Sequence, residues 1–349
     1  MIVSQTPFRM SFFGGGTDYS TWFKEHGGAV LSVTLNRYCY MTCRWLPPFF
    51  DHRSRIVWSK IETVNKHDEI NHPAVAGTLK HMDITQGIEL YHNGDLPARA
   101  GLGSSSAFTV GLLNVLHTLK GETVSKADLA REAIYVEQEV LGENVGIQDQ
   151  IATACGGLNH ITIAHDGQFE VTPVGLSPER QAELSEHLLL FFTGISRYAS
   201  GIAKDVIDSI PAKQSEIHTL AEMVDQALVI LRGNGDLEDF GRLLHESWEV
   251  KRSLTKSLAP TFVDEIYDRA RKGGAIGGKL LGAGGGGFMV FVVKPEDRLS
   301  VLEALDELLM VPVGFEDQGT RIIFESIESF SKTALNAAHG HHYGDGDDA

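Results

Sequence analysis

The chain has 349 residues, 42% hydrophobic and 22% charged, an ordinary balance for a folded enzyme with one large core or two moderate ones. Its formal net charge of -16 argues against nucleic acid or an anionic membrane as the main partner. A phosphate site in such a chain must be built locally, from backbone N–H groups, a few arginines and a metal.

Residues 2–13 alternate enough for a strand, which ends in Gly14-Gly15-Gly16-Thr17-Asp18, a turn that needs the freedom of glycine. Residues 29–45, rich in Val, Thr, Tyr and Cys, read as a longer strand region. Residues 55–59 and 87–92 read as further strands, and 73–82 as a helix between them. The chain is organised around Pro97-Ala-Arg-Ala-Gly101-Leu-Gly103-Ser104-Ser105-Ser106-Ala107. Glycine lets the backbone turn sharply and approach a ligand closely, and serine caps helix starts. A helix N-terminus adds free N–H groups and partial positive charge. The stretch reads as a phosphate cradle; the competing reading is a Gly/Ser turn capping a buried helix. Residues 107–119 are apolar on nearly every side, which marks a helix inside the domain that Gly121 ends.

A second helix is expected over about 126–141, opening with Ser125-Lys-Ala-Asp128, a capping box with Asp in place of Glu. At 100° steps, Leu129, Ala130, Ala133, Ile134, Val136, Val140 and Leu141 share one broad face, with Glu137 near its middle. A carboxylate in an apolar stripe is costly unless paired or bound to a metal. The alternative is a helix end that frays before Glu137. Asp149 follows in a loop entering a short buried helix; it could cap that helix, or join Glu137 as the second of two carboxylates near a phosphate cradle, one a metal ligand and one a base.

Residues 158–163 and 188–192 read as strands, and 193–198 as a polar loop before helices that run to about residue 271. The last part mixes strand and helix over 274–281, 288–293, 297–309 and 321–324. A soft boundary falls near residue 185, giving domains 1–185 and 186–330, and residues 331–349 read as a disordered tail. Gly282-Ala-Gly284-Gly-Gly-Gly287 matches a dinucleotide fingerprint, but a strand follows where a helix is needed. Residues 273–279 match the first part of a Walker A loop, but Leu280 stands where Ser or Thr should be. A glycine-rich turn between strands remains, able to approach a ligand or another backbone segment. Cys39, Cys43 and Cys155 contain no Cys-x-x-Cys spacing and fit a reducing cytosol. No signal peptide is visible at the start, and the longest uncharged apolar run, 280–293, is too short and glycine-rich for a bilayer.

Three stretches stand in a recognisable order: Pro7-Phe-Arg9-Met-Ser-Phe-Phe-Gly14-Gly-Gly16-Thr17-Asp18-Tyr19, the 97–107 cradle, and Lys279-Leu-Leu-Gly282-Ala-Gly-Gly-Gly-Gly287-Phe288. Together they resemble the GHMP small-molecule kinase superfamily over about residues 1–330. Gly14-Gly-Gly-Thr-Asp18, Ile147-Gln-Asp149-Gln, Thr193-Gly-Ile-Ser-Arg197 and Trp58-Ser-Lys60 resemble its kinases of D-glycero-D-manno-heptose 7-phosphate. Galactokinases carry Gly-Glu-His-Thr-Asp in the first motif, where this chain has Gly15 and Gly16. The resemblance implies an α+β fold of two domains, the first like domain 2 of ribosomal protein S5 and the second ferredoxin-like, with ATP and acceptor between them.

It also implies roles. Gly101, Gly103, Ser104, Ser105 and Ser106 fall in the ATP phosphate loop. Ser105 and Glu137 match the Mg²⁺ ligands. Asp149, twelve residues after Glu137, matches the catalytic aspartate, and Arg9 a basic residue beside it. Asp18, with Gly16 and Thr17, falls at the acceptor, and Arg197 is expected to meet the 7-phosphate. The implied product is heptose 1,7-bisphosphate, on the way to nucleotide-activated heptose for surface polysaccharide. The expected setting is a cytoplasmic monomer or homodimer that acts on small molecules. The rivals are a kinase of fucose or a hexose derivative and a non-catalytic GHMP-fold sensor of ATP and sugar. The presence of Asp149, Glu137 and Arg9 counts against the sensor. A dinucleotide oxidoreductase fails because Glu122 follows a helix-ending glycine, not a strand.

Overall fold

The structure is a computed structural model that describes residues 1–195, 199–233, 235–255 and 258–326. Its frame is a long antiparallel pair, β1 (Ile2–Phe13) and β2 (Gly28–Trp45). Between them, α1 (Ser20–His26) buries Trp22 and Phe23. The 18-residue β2 is long enough to serve two further partners in succession. Its first half pairs with β6 (Leu158–Ile163) and its second with β5 (Ile88–Gly94). The sheet continues through β3 (Ser54–Val57), parallel to β5, and β4 (Ile61–Val64), while β7 (Phe169–Pro173) extends β6. β12 (Arg321–Glu325) returns from the end of the described chain to pair with β1.

Helices α3 (Ser104–Leu119) and α5 (Gln148–Cys155) pack on β1 and β2, with α2 (Pro73–His81) and α4 (Lys126–Tyr135) beside α3. α3 buries a continuous run from Ser106 to Leu113, as its all-round apolar pattern predicts. Ser125 caps α4 by accepting from Asp128 N at 3.1 Å.

After α6 (Pro178–Glu186), a second sheet is built from β8 (Leu188–Phe192), β9 (Gly277–Leu280), β10 (Phe288–Val292) and β11 (Leu309–Met310). Its spatial order is β11-β8-β10-β9, all antiparallel. Counted within this unit the order is 4-1-3-2, with helices between the first and second strands and between the third and fourth, as in a ferredoxin-like unit. The first crossover holds α7 (Ala199–Ser209), α8 (Gln214–Arg232), α9 (Leu237–Arg252) and α10 (Thr261–Lys272), and the second holds α11 (Arg298–Ala304). The second sheet begins just after the expected boundary, but β12, expected in the second domain, belongs to the first sheet. The expected tail, 331–349, lies outside the described residues.

One continuous apolar core joins the halves. Phe240 of α9 meets Phe12 and Phe13 of β1 edge-on, at ring-centroid distances of 5.2 and 5.3 Å. α8 also lies against β1 and β2. Pressed by helices from both halves, β1 is buried on successive residues rather than on alternate ones. The glycine turn at its end is therefore held in place relative to both sheets.

Candidate active site

The cradle is clamped between the two units by backbone bonds. Arg9 N in β1 donates to Leu102 O at 3.0 Å, and Phe288 N in β10 donates to Ala100 O at 3.0 Å. Gly101 and Gly103 have φ of 85° and 70°, backbone that a side chain would strain. A Cβ on Gly101 would lie 2.3 Å from Leu281 O, and one on Gly282 would lie 2.5 Å from Gly101 Cα. The glycine hairpin between β9 and β10 thus makes its close approach to the cradle's own backbone. Gly103 stands at the N-cap of α3 with no side-chain cap. Ser104 Oγ instead accepts from Arg99 N at 3.0 Å and pins the loop. The first-turn N–H groups of this 16-residue helix have no intrahelical acceptor, so they can take phosphate oxygens.

Arg9 and Asp149 form a two-pronged pair beside the cradle. Arg9 Nε donates to Asp149 Oδ1 at 2.7 Å and Nη2 to Oδ2 at 2.5 Å, while Nη1 donates to Gly101 O at 2.7 Å. Arg9 is 4% exposed, whereas the Asp149 side chain is 26% exposed and open to a substrate. Asp149 sits in the first turn of α5, with Ile147 at the N-cap position.

Asp18 is buried nearby and held by backbone donors: Gly16 N at 3.2 Å and Gln148 N at 3.4 Å. Burial, and then the neighbouring Asp149 charge, raise its pKa. Gly146 leaves it room, since a Cβ there would lie 1.9 Å from Asp18 Oδ2. The structure gives Thr17 a different part from the one expected. It is fully buried, and its hydroxyl lies 2.8 Å from both Gly14 O and Ala29 O and 3.1 Å from Ala29 N, so it ties the turn to β2. Gly16 supplies the N–H that holds Asp18.

Glu137 is fully buried, as its place on the apolar stripe predicts. The helix does not run unbroken to 141: α4 ends at Tyr135, and Val136–Val140 form a π turn that carries Glu137. Its Oε2 accepts from Ser106 Oγ at 3.0 Å and from Gln150 Nε2 at 2.5 Å. The serine beside Glu137 is therefore Ser106, whereas Ser105, the expected partner, is exposed. Inward Ser106 shares a face with Val110, one helical turn on.

Among the described residues, Glu137 Oε1 and Gln150 Oε1 are buried without a hydrogen-bond partner. Burial pushes the Glu137 carboxyl up to about 8. Orphaned oxygens beside a hydroxyl fit a magnesium ion, which takes oxygen donors and needs few carboxylates when phosphates supply the rest. Among the described residues no three His, Cys, Asp or Glu side chains are grouped to hold a metal unaided.

Sequence reasoning quoted Gln150 and Lys279 within motifs but gave them no role, and did not single out Lys251. Lys251 Nζ donates to Gly282 O at 2.9 Å, and buried Lys279 Nζ donates to Phe12 O at 2.8 Å. Thr193 of the quoted 193–197 motif clasps the hairpin, with its N and Oγ1 both 2.9 Å from Gly287 O. Arg197 lies outside the described residues. Trp58 meets His72 edge-on at 4.8 Å, and His72 stacks on Phe108 of α3 at 4.7 Å, an aromatic wall beside the cradle helix.

A glycine loop that opens a helix with free first-turn N–H groups and a bidentate Arg–Asp pair stand together in a two-unit α+β frame, an arrangement able to hold a phosphate beside a carboxylate. The family "GHMP kinases N terminal domain" matches residues 70–157, and "GHMP kinases C terminal" matches residues 226–309. The D-glycero-alpha-D-manno-heptose 7-phosphate kinase of Campylobacter jejuni is 28% identical over 87% of this chain and 93% of its own length. The bifunctional fucokinase/GDP-fucose pyrophosphorylase of Arabidopsis thaliana is 25% identical over 85% of this chain and 30% of its own. Among solved structures, a D-glycero-D-manno-heptose 1-phosphate kinase from Bacteriodes thetaiotaomicron superposes with a TM-score of 0.76, at 24% identity, over 93% of this chain and all of that one. The chain belongs to the GHMP kinase family and is an ATP-dependent sugar kinase. No helix among the described residues is long and apolar enough to cross a membrane.

Proposed function

We propose that the enzyme transfers the γ-phosphoryl group of ATP to the anomeric hydroxyl of D-glycero-D-manno-heptose 7-phosphate. The observation that carries the reading is the Arg9–Asp149 pair, set between the cradle and buried Asp18. The likeness to a heptose 7-phosphate kinase over 87% of this chain supports the choice of acceptor. The product, heptose 1,7-bisphosphate, would serve nucleotide-activated heptose synthesis for surface polysaccharide.

Each residue has a part in this proposal. The N–H groups of Ser104, Ser105 and Ser106, with the Gly101–Gly103 backbone, hold the ATP phosphates. Glu137 and Ser106, positioned by Gln150, hold Mg²⁺, which neutralises phosphate charge when bound. Asp18 accepts from acceptor hydroxyls, and Arg197 meets the 7-phosphate. Asp149 takes or orients the proton of the attacking hydroxyl. Arg9 holds that carboxylate in line and spreads positive charge toward the transferring group.

The test is kcat/KM with MgATP for heptose 7-phosphate, heptose, fucose, galactose and mannose. The proposal expects heptose 7-phosphate to lead by at least ~10-fold, the scale set by one charge-assisted contact. A lead by fucose or a hexose would keep the kinase and replace its acceptor.

A further inference from the structure

Lys251 stands in the last turn of α9, seven residues after buried Leu244 and four and three after buried Ser247 and Trp248. That spacing puts it toward the helix's apolar face, where it is half-buried. Its ammonium donates to Gly282 O and lies 4.0 Å from the position a Cβ would take on Gly15. Gly282 packs on Gly101 of the cradle, and Gly15 belongs to the turn that carries Asp18. The ammonium therefore sits where the acceptor turn, the glycine hairpin and the phosphate cradle meet.

Gly282 O occupies one of three N–H donors on this group. Arg9 is matched by Asp149, but among the described residues no carboxylate forms an ion pair with Lys251. A cation held inside a protein without a counter-charge is costly. Burial lowers its pKa to about 8; Arg9 adds to that shift, and Asp18 and Asp149 oppose it. Lys279 is a second buried lysine bonded to a carbonyl, and burial, then Lys251 and Arg9, lower its pKa well below the ordinary value. Asp149 is taken up by Arg9 and Asp18 is held by backbone donors, so neither meets Lys251 directly. Tying the hairpin needs only a donor, so the charge at Lys251 calls for a different reason.

We propose that Lys251 binds the phosphate carried by the acceptor and so sets the preference for a sugar phosphate over a neutral sugar. The inference rests on the sugar-phosphate reading above and gives the acceptor phosphate a contact among the described residues, in addition to the one proposed for Arg197. A compact ammonium suits a phosphate that arrives and leaves with each turnover.

The experiment compares wild type with Lys251→Gln, which keeps a neutral donor for Gly282, on heptose 7-phosphate and on heptose. The loss in kcat/KM on the phosphorylated acceptor should exceed that on heptose by about 30-fold, mostly through KM. Lys251→Arg should recover most of it, and KM for MgATP should hold. If the Gln variant does not fold, Lys251→Met serves in its place, with thermal melting as the check. A wild type that favours heptose 7-phosphate, with equal losses on both acceptors in the variant, overturns the inference alone. A wild type that does not favour heptose 7-phosphate overturns the sugar-phosphate reading and the inference together.

Discussion

Asp149→Asn separates charge from shape at the proposed reacting centre. The carboxylate receives two Arg9 donors, at 2.7 and 2.5 Å. An amide of the same shape offers one oxygen and one NH₂, so one Arg9 donor would face another donor. Removing one partner of a buried ion pair costs roughly 3–5 kcal/mol. The Asp149 side chain is 26% exposed, so water screens the pair, and about 2 kcal/mol is the expected loss of stability. For a chain of this length, at about 2.1 cal/mol/K of unfolding entropy per residue, that is a fall of about 3 °C in Tm. Turnover should fall further than stability explains, by at least ~100-fold, if Asp149 is the general base. The assay is ADP release under saturating MgATP and acceptor, at a temperature where melting shows the variant folded, with nucleotide affinity measured alongside. A folded variant that turns over within a few-fold of wild type would refute the role given to Asp149. An unchanged Tm would refute the energy assigned to the pair.

Three further outcomes follow from the geometry. Gly146→Ala puts a methyl group where Asp18 Oδ2 now lies, 1.9 Å away; acceptor KM should rise ~10–100-fold with KM for MgATP unchanged, the loss of one or two charge-assisted bonds, and an unchanged acceptor KM would remove Asp18 from the site. Ser106→Ala should raise the magnesium concentration for half-maximal rate several-fold, while Ser105→Ala should leave it nearly unchanged, because Ser106 is the serine that meets Glu137; the reverse order in a magnesium titration would restore Ser105. Lys251 must be charged to hold an anion, and burial places its pKa near 8 among Arg9, Lys279, Asp18 and Asp149. Its charge is present below that value and lost above it, so acceptor KM should rise as pH climbs through about 8, and Lys251→Arg should flatten the rise; a flat wild-type profile in acceptor titrations would contradict the assignment.

The features legible in the sequence were those with local causes. Glycine runs and an all-round apolar stretch signal the 14–18 turn, the cradle and α3 within a few residues. The helical period places Glu137 inside, and it is inside, although a π turn replaces the expected regular helix. The same period carried a signal for Ser106 over Ser105, and for Lys251 after Leu244. α1 is too short for any periodicity to show, and α6 buries only Leu184. The return of β12 to β1 and the 4-1-3-2 order join strands far apart in the chain, which no local pattern encodes. The Arg9–Asp149 pair spans 140 positions for the same reason, and only the resemblance placed them together.

The central claim is phosphoryl transfer from ATP to the anomeric oxygen of a heptose that already carries phosphate. Phosphorus NMR of the product formed from MgATP and heptose 7-phosphate tests it most directly. The account predicts a second phosphate resonance coupled to the anomeric proton, formed in step with ADP. ADP release with the new phosphate on any other carbon, or with inorganic phosphate as the only new species, would contradict it.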